Sequence, residues 1–215
     1  MNTEEHIIFI VDDDERVREA LGELLASHGM RAVAFGSAGE YVRADKPDVP
    51  ACLILDVELP DINGLELQRQ IAEGDHPAVV FITGHGDIPS SVRAIKRGAV
   101  DFLTKPFSDA DLMAAIEAAL AEDREVRSER ADLNSLKQRY INLTPREREV
   151  LPLVVSGLLN KQAAAELGIS EVTLQIHRRN VMQKMAAQSL ADLVRIAERL
   201  GIPITHSRRT GGAGV

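Results

Sequence analysis

Five apolar runs, residues 7–11, 30–35, 52–56, 78–83 and 100–104, divide the first part of the chain, and within most of them apolar positions follow one another without the alternation of a half-exposed strand. Such runs fit strands covered on both faces, as in a parallel sheet. The segments between them, 17–27, 38–44, 65–72 and 88–97, read as helices, and Ser108 followed by Asp111 has the form of a capping box that opens one more. This alternation predicts an α/β fold, a doubly wound five-stranded parallel sheet with helices on both faces.

Past residue 112 the pattern changes. No Gly or Pro occurs from 112 to 138, and Ala, Glu, Arg and Leu dominate, so the last helix is expected to run on as a connector. Val126, Leu133 and Tyr140 recur every seven residues with Leu136 nearby. That spacing allows a short dimer seam, but so few positions favour a solvated helical spacer. Thr144, Pro145 and Glu147 then form a strong helix start. Gly157 ends that helix, Asn160 is placed to cap a short one over 161–167, Gly168 makes a turn, and Ser170 caps a helix over 171–185. Helix, glycine turn, helix is the helix-turn-helix arrangement, here in an all-α domain. Val172, Val181, Met185 and in part Ile176 mark its inner side, while Thr173, Gln175, His177, Arg178, Arg179, Asn180 and Lys184 gather donors and positive charge. The boundaries expected are 1–121 for the α/β domain, 122–142 for the linker, 143–206 for the helix-turn-helix domain and 207–215 for a small, basic, disordered tail.

Composition narrows the setting. Apolar residues make up 45% of the chain and aromatics 3%, with no Trp, so the cores are aliphatic. The one cysteine, Cys52, excludes an internal disulfide and fits a reducing compartment. No run reaches membrane-spanning length, and the acidic start MNTEE lacks a basic lead into an apolar segment, so a cytoplasmic protein without a membrane partner is expected. The net charge of -8 hides an asymmetry: residues 1–121 carry 10 Lys and Arg against 22 Asp and Glu, and residues 143–215 carry 10 against 6. A basic second part is suited to nucleic acid.

The strand ends hold the chemistry. The first run closes on Asp12 and Asp13, the third on Asp56, the fourth on Thr83 and Gly84, and the fifth on Lys105 and Pro106. In a parallel sheet these ends share one rim, where ligands of such folds bind. Crowded carboxylates need a counter-charge, and a hard, oxygen-seeking Mg2+ fits them best. Lys105 then offers a fixed cation, and Thr83 a donor, to phosphoryl oxygens.

On these residues, together with Pro60 and Gly64 after the central Asp56, residues 1–121 resemble a response-regulator receiver domain. The resemblance implies that Asp56 is the nucleophile that takes a phosphoryl group from a sensor histidine kinase. It implies that Asp13, Asp56 and the backbone carbonyl of Glu58 hold Mg2+, with Asp12 acting largely through water. Lys105, Thr83 and the backbone N–H groups of Glu58 and Gly84 would bind the phosphoryl oxygens. Thr83 and Phe102 would form the switch that repacks 88–97 and 100–104 into a dimer face, and Glu58 and His85 would border the mouth of the site. A cis bond before Pro106 is compatible with this.

Residues 143–201 resemble a LuxR/FixJ-type output domain in LTPREREVL, in the Gly-x-x-Asn-Lys stretch at 157–161 and in the helix 170–184. By that likeness Gln175, Ile176 and Arg179 enter the major groove of double-stranded DNA, while Thr173, Arg178 and Lys161, with Lys184 further along, meet its backbone. Gln175 stands where Lys is common. His177 is expected to be a structural hydrogen-bonding residue, and 189–200 the last helix, which often carries a dimer contact. The combined expectation is a DNA-binding transcriptional regulator that dimerises on phosphorylation, and an enzyme only in promoting its own phosphoryl transfer and hydrolysis. Two rivals are a phosphorelay or protein-binding regulator whose helical domain meets a partner instead of DNA, and a metal-dependent phosphatase. The basic recognition helix opposes the first, and the lack of a substrate-cap insertion the second.

Overall fold

The computed structural model describes residues 6–71, 76–84 and 88–204; His85 and the 207–215 tail lie outside them. Contacts divide the chain into two compact units, Met1–Ser128 and Glu129–Val215. In the first, β1 (Ile7–Val11), α1 (Glu15–Ser27), β2 (Ala32–Phe35), α2 (Ala38–Arg43), β3 (Ala51–Asp56), α3 (Gly64–Ile71), β4 (Ala78–Thr83), α4 (Ile88–Lys96) and β5 (Ala99–Thr104) alternate as expected, and α5 (Asp109–Ile141) follows without a break. All strand pairs are parallel, in the order β2-β1-β3-β4-β5.

The apolar runs do not alternate because both sheet faces are covered. Phe9, Val11, Leu53, Leu55 and Phe81 face α2, α3 and α4, while Ile8, Ile10, Ile54, Val80 and Ile82 face α1 and α5, which contribute Leu21, Leu25, Leu112 and Ile116. Local bonding moves two boundaries. Asp14 caps the N–H of Arg16 at 2.9 Å, so α1 begins at Glu15 rather than 17. The N–H of Met30 closes the end of α1 on the Leu25 carbonyl at 2.9 Å, so β2 starts at Ala32 rather than 30. At the far end of the sheet, Asp123 of α5 accepts from the Ala51 N–H at 2.9 Å and from Arg127 Nε at 2.7 Å, which ties α5 to the start of β3.

The second unit contains the end of α5, α6 (Pro145–Val155), α7 (Asn160–Glu166), α8 (Glu171–Lys184) and α9 (Leu190–Arg199) around one aliphatic core. Leu136 and Tyr140 of the connector pack into that core, whereas Val126 is exposed. Two of the residues considered for a seam are therefore used within this unit. The capping box forms: Thr144 accepts from the Glu147 N–H, and Glu147 accepts from the Thr144 N–H at 2.9 Å. Asn160, in contrast, is not the cap of α7. Leu159 holds that position with its N–H on Gln162 Oε1 at 2.9 Å, and the Asn160 side-chain oxygen Oδ1 instead accepts from Arg178 Nη1 of α8, also at 2.9 Å.

Glu147 also receives Lys184 Nζ at 2.7 Å although its own side chain is almost wholly buried. Burial alone would raise its pKa, but the Lys184 and Thr144 hydrogen bonds outweigh that and hold it below the ordinary glutamate value of 4.5. Its stabilisation is thus complete above 4.5 and is lost as pH falls through the lower folded value. Glu147→Ala is expected to lower the stability of the helical unit by about 2–3 kcal/mol, through the lost cap and a cation left without its partner. Urea unfolding of the full chain at pH 7 and at pH 3 checks both statements, since the gap between wild type and variant should narrow at the lower pH.

Candidate acidic metal centre and candidate nucleic-acid interface

Sheet register builds the first site. Val11 of β1 pairs with Leu55 of β3, so Asp12 and Asp56, one residue further on, emerge side by side. Thr83 of β4 pairs with Thr104 of β5, which sets Lys105 next along the same rim. Asp12 and Asp56 are buried, Asp13 is exposed, and each of the three has a carboxylate oxygen within 4.8 Å of the others'.

Lys105 lies between two of these acids. Its Nζ donates to Asp12 Oδ2 at 2.7 Å and to Asp56 Oδ2 at 2.8 Å. The Asp14 N–H donates to Asp12 Oδ1 at 2.9 Å and the Glu58 N–H to Asp56 Oδ1 at 3.0 Å. Burial raises the Asp12 pKa by more than the Lys105 and Asp14 hydrogen bonds lower it. Burial also works against the Lys105 ammonium, but its bonds to Asp12 and Asp56 and their charges outweigh it, so Lys105 titrates above the usual lysine range.

Thr83 is fully buried at the end of β4, its carbonyl accepting the Lys105 N–H at 2.7 Å, and Gly84 follows it in the open. Phe102 is half-buried with its ring centre 6.0 Å from that of Phe81. The Lys105–Pro106 peptide bond is cis. Two further residues support the site, and one of them, Arg18, was not marked by the sequence. Arg18 Nη1 donates to the carbonyls of Asp12 and Asp13 at 2.7 and 2.9 Å, which holds the acidic loop on α1. Gly64 lies so close to the Asp56 carbonyl that a Cβ there would be 2.2 Å from it. The spacing from Asp56 to Gly64 already marked the second in the sequence; nothing local marks the first.

The donor set fits a hard cation. All three groups offer oxygen, and opposite ligands of an octahedral Mg2+ lie about 4 Å apart, a span compatible with the separations here.

In the second unit, Gly168 takes a positive φ of 65° in the turn between α7 and α8. Leu174 and Val181 bury one side of α8, and Met185 follows them. Val172 does not join them: it is 67% exposed, because Leu174, two positions on, takes the inward place. Gln175, Ile176, Arg179 and Lys161 are also exposed. Thr173 is held by the cap, its Oγ1 2.8 Å from Ser170 Oγ. Arg178 is engaged by Asn160 and Lys184 by Glu147. His177 Nδ1 is buried without a hydrogen-bond partner, so the structural bond expected of that side chain is not made at this nitrogen.

Two family models match the chain, one over each part. The family model for the response regulator receiver domain matches residues 8–117, and that for bacterial regulatory proteins of the luxR family matches 141–197. The chain belongs to the response regulators. It is a transcriptional one, a receiver followed by a LuxR-type DNA-binding domain. This response regulator is 50% identical over 205 residues to Nodulation protein W of Bradyrhizobium diazoefficiens, covering 95% of this chain and 90% of that one. It is 43% identical over 196 residues to Transcriptional regulatory protein FixJ of Azorhizobium caulinodans, covering 91% and 93%. Among solved structures, that of Response Regulator StyR superposes with a TM-score of 0.79 at 46% identity, over 91% of this chain and 99% of that one. Among the described residues no helix is long and apolar enough to cross a membrane.

Proposed function

We propose that this regulator is switched by phosphorylation of Asp56 by a sensor histidine kinase, in a receiver of residues 1–121 joined by a linker, 122–142, to a DNA-binding domain of residues 143–206. The observation that carries the reading is the cluster of Asp12, Asp13 and Asp56 with Lys105 bonded to two of its members. An Asp56 carboxylate oxygen attacks phosphorus as the bond from phosphorus to the kinase histidine nitrogen breaks, giving an acyl phosphate and a neutral imidazole. Such transfers depend on alignment and charge stabilisation more than on covalent assistance. The Glu58 N–H orients one oxygen of Asp56 before attack. Lys105, already on the other, is placed to pass to a phosphoryl oxygen, with the Thr83 hydroxyl and the Gly84 N–H as further donors. Asp13, Asp56 and the Glu58 carbonyl would hold Mg2+, and Asp12 would act through water. The ion supplies charge neutralisation between nucleophile and phosphoryl group.

Phosphorylation then favours a homodimer. Val92 and Ile95 of α4 are exposed beside β5, and repacking of Thr83 and Phe102 would turn them into a shared face. Two linked output domains bind paired half-sites more tightly than one, without any new base contact. Gln175, Ile176 and Arg179 would read bases, and Lys161 and Thr173 would meet phosphates. Arg178 and Lys184, held by Asn160 and Glu147, would reach the DNA backbone only from those partners. The protein works in the cytoplasm, and its catalytic role is confined to its own phosphoryl chemistry.

The test has two arms. Incubation with a small acyl phosphate should give one phosphoryl group per chain in Mg2+ and none in EDTA; equal labelling in EDTA would overturn the metal assignment. A salt titration of promoter binding should show log K falling linearly with log salt. Lys161→Ala should weaken binding to all sequences alike and reduce that slope by about 1 per bound output domain. Salt-insensitive association would point away from DNA.

A further inference from the structure

The outward pole of α8 carries two exposed apolar residues among its polar groups. Successive residues of a helix turn by about 100°, so Val172, Ile176 and Arg179 share the side opposite the buried Leu174 and Val181. Val172 is 67% exposed and Ile176 56%. One exposed valine needs no explanation. Two branched apolar residues four apart, with an arginine beside them, form a surface suited to a partner that is negatively charged and has methyl groups within it.

The major groove of DNA is such a partner, since thymine displays its C5-methyl there between phosphate chains. Gln175, exposed on the flank of the same pole, has the paired donor and acceptor that match adenine N6 and N7, so one side of α8 could meet both halves of A·T pairs. Val172 and Ile176 are separated by about 6 Å along the axis, near two base-pair steps of about 3.4 Å.

We propose that Val172 is a specificity-determining residue, which packs on the C5-methyl of a thymine close to the one met by Ile176. This inference rests on the DNA-binding reading and deepens it. It makes Val172 a reader of the operator instead of a member of the domain core.

The experiment uses the full chain treated with a phosphodonor and an operator recovered by it from a random DNA library. Each thymine is replaced in turn by uracil, which removes the methyl alone. Wild type is expected to weaken about fourfold at each of two thymines about two base-pair steps apart, the factor that burial of one methyl group carries. Val172→Ser should bind the thymine operator about fourfold less well and lose its sensitivity at one of those positions while keeping the other. Ile176→Ser should show the reverse pattern. The Val172→Ser unfolding midpoint should match wild type, because the side chain is outside the core. Salt-dependent DNA binding in which Val172→Ser equals wild type, or responds to every uracil as wild type does, overturns this assignment and leaves the DNA reading standing. Recovery of no operator at all overturns both.

Discussion

Asp56→Asn abolishes phosphoryl acceptance in the expected outcome, by at least about 1,000-fold, the scale on which loss of a nucleophile acts in other covalent mechanisms. The substitution changes little in shape and much in chemistry. An amide is a poor nucleophile, so the bond to phosphorus has no partner on the protein. It also withdraws one of the three clustered carboxylates, and among the described residues Lys105 keeps only Asp12 as a charged partner. Mass spectrometry and phosphate-affinity electrophoresis after acyl phosphate treatment measure the loss. Sizing and footprinting of the same samples follow its consequences, and the variant is expected to show the oligomeric state and promoter occupancy of untreated wild type. If the variant is labelled as fast as wild type, Asp56 is not the acceptor.

Gly64→Ala should strongly destabilise the receiver. A Cβ at this position would be 2.2 Å from the Asp56 carbonyl oxygen and 3.1 Å from both the Asp56 carbonyl carbon and the Val57 Cα. These are backbone atoms of the buried central strand and its continuation, so the contact cannot be relieved by a side-chain rotation. The Gly64 N–H is also bonded to the Val57 carbonyl at 2.8 Å, which prevents the turn from sliding outward. Overpacking of this kind costs about 3 kcal/mol or more. For a unit of this size the loss corresponds to a fall of roughly 10 °C in Tm. Phosphoryl acceptance should drop with it, because the displaced strand end carries Asp56. Gly22 gives the matched control. It lies inside α1, where an added Cβ meets nothing within 4 Å, and Gly22→Ala should stabilise by about 0.5–1 kcal/mol through helix propensity. Calorimetry on the two variants decides the matter: similar Tm values would mean that Gly64 has room the structure does not give it.

The two sites were legible in the sequence to different depths. The acidic centre is assembled from strand ends, and a parallel sheet puts all such ends at one rim whatever the loops do. Asp12, Asp56, Thr83 and Lys105 therefore meet because of a topology that apolar runs alone announce. The surface of α8 is different. Thr173, Arg178 and Lys184 read as one polar face, yet the structure holds Arg178 on Asn160, Lys184 on Glu147 and Thr173 on Ser170. Those partners come from other helices or from the cap, and a list of polar residues cannot distinguish a cation held inside the domain from one offered outward.

What the chain determined by itself was the order and kind of its elements, through the length and period of its apolar runs, and the chemical character of each strand end. Tertiary structure alone decided that Arg18 supports the acidic loop, and which way a helix of mixed composition faces. Val172 shows the reason. Periodicity relates a residue to its neighbours on the same helix, but inside and outside are assigned only when Leu174 and Val181 find the rest of the core.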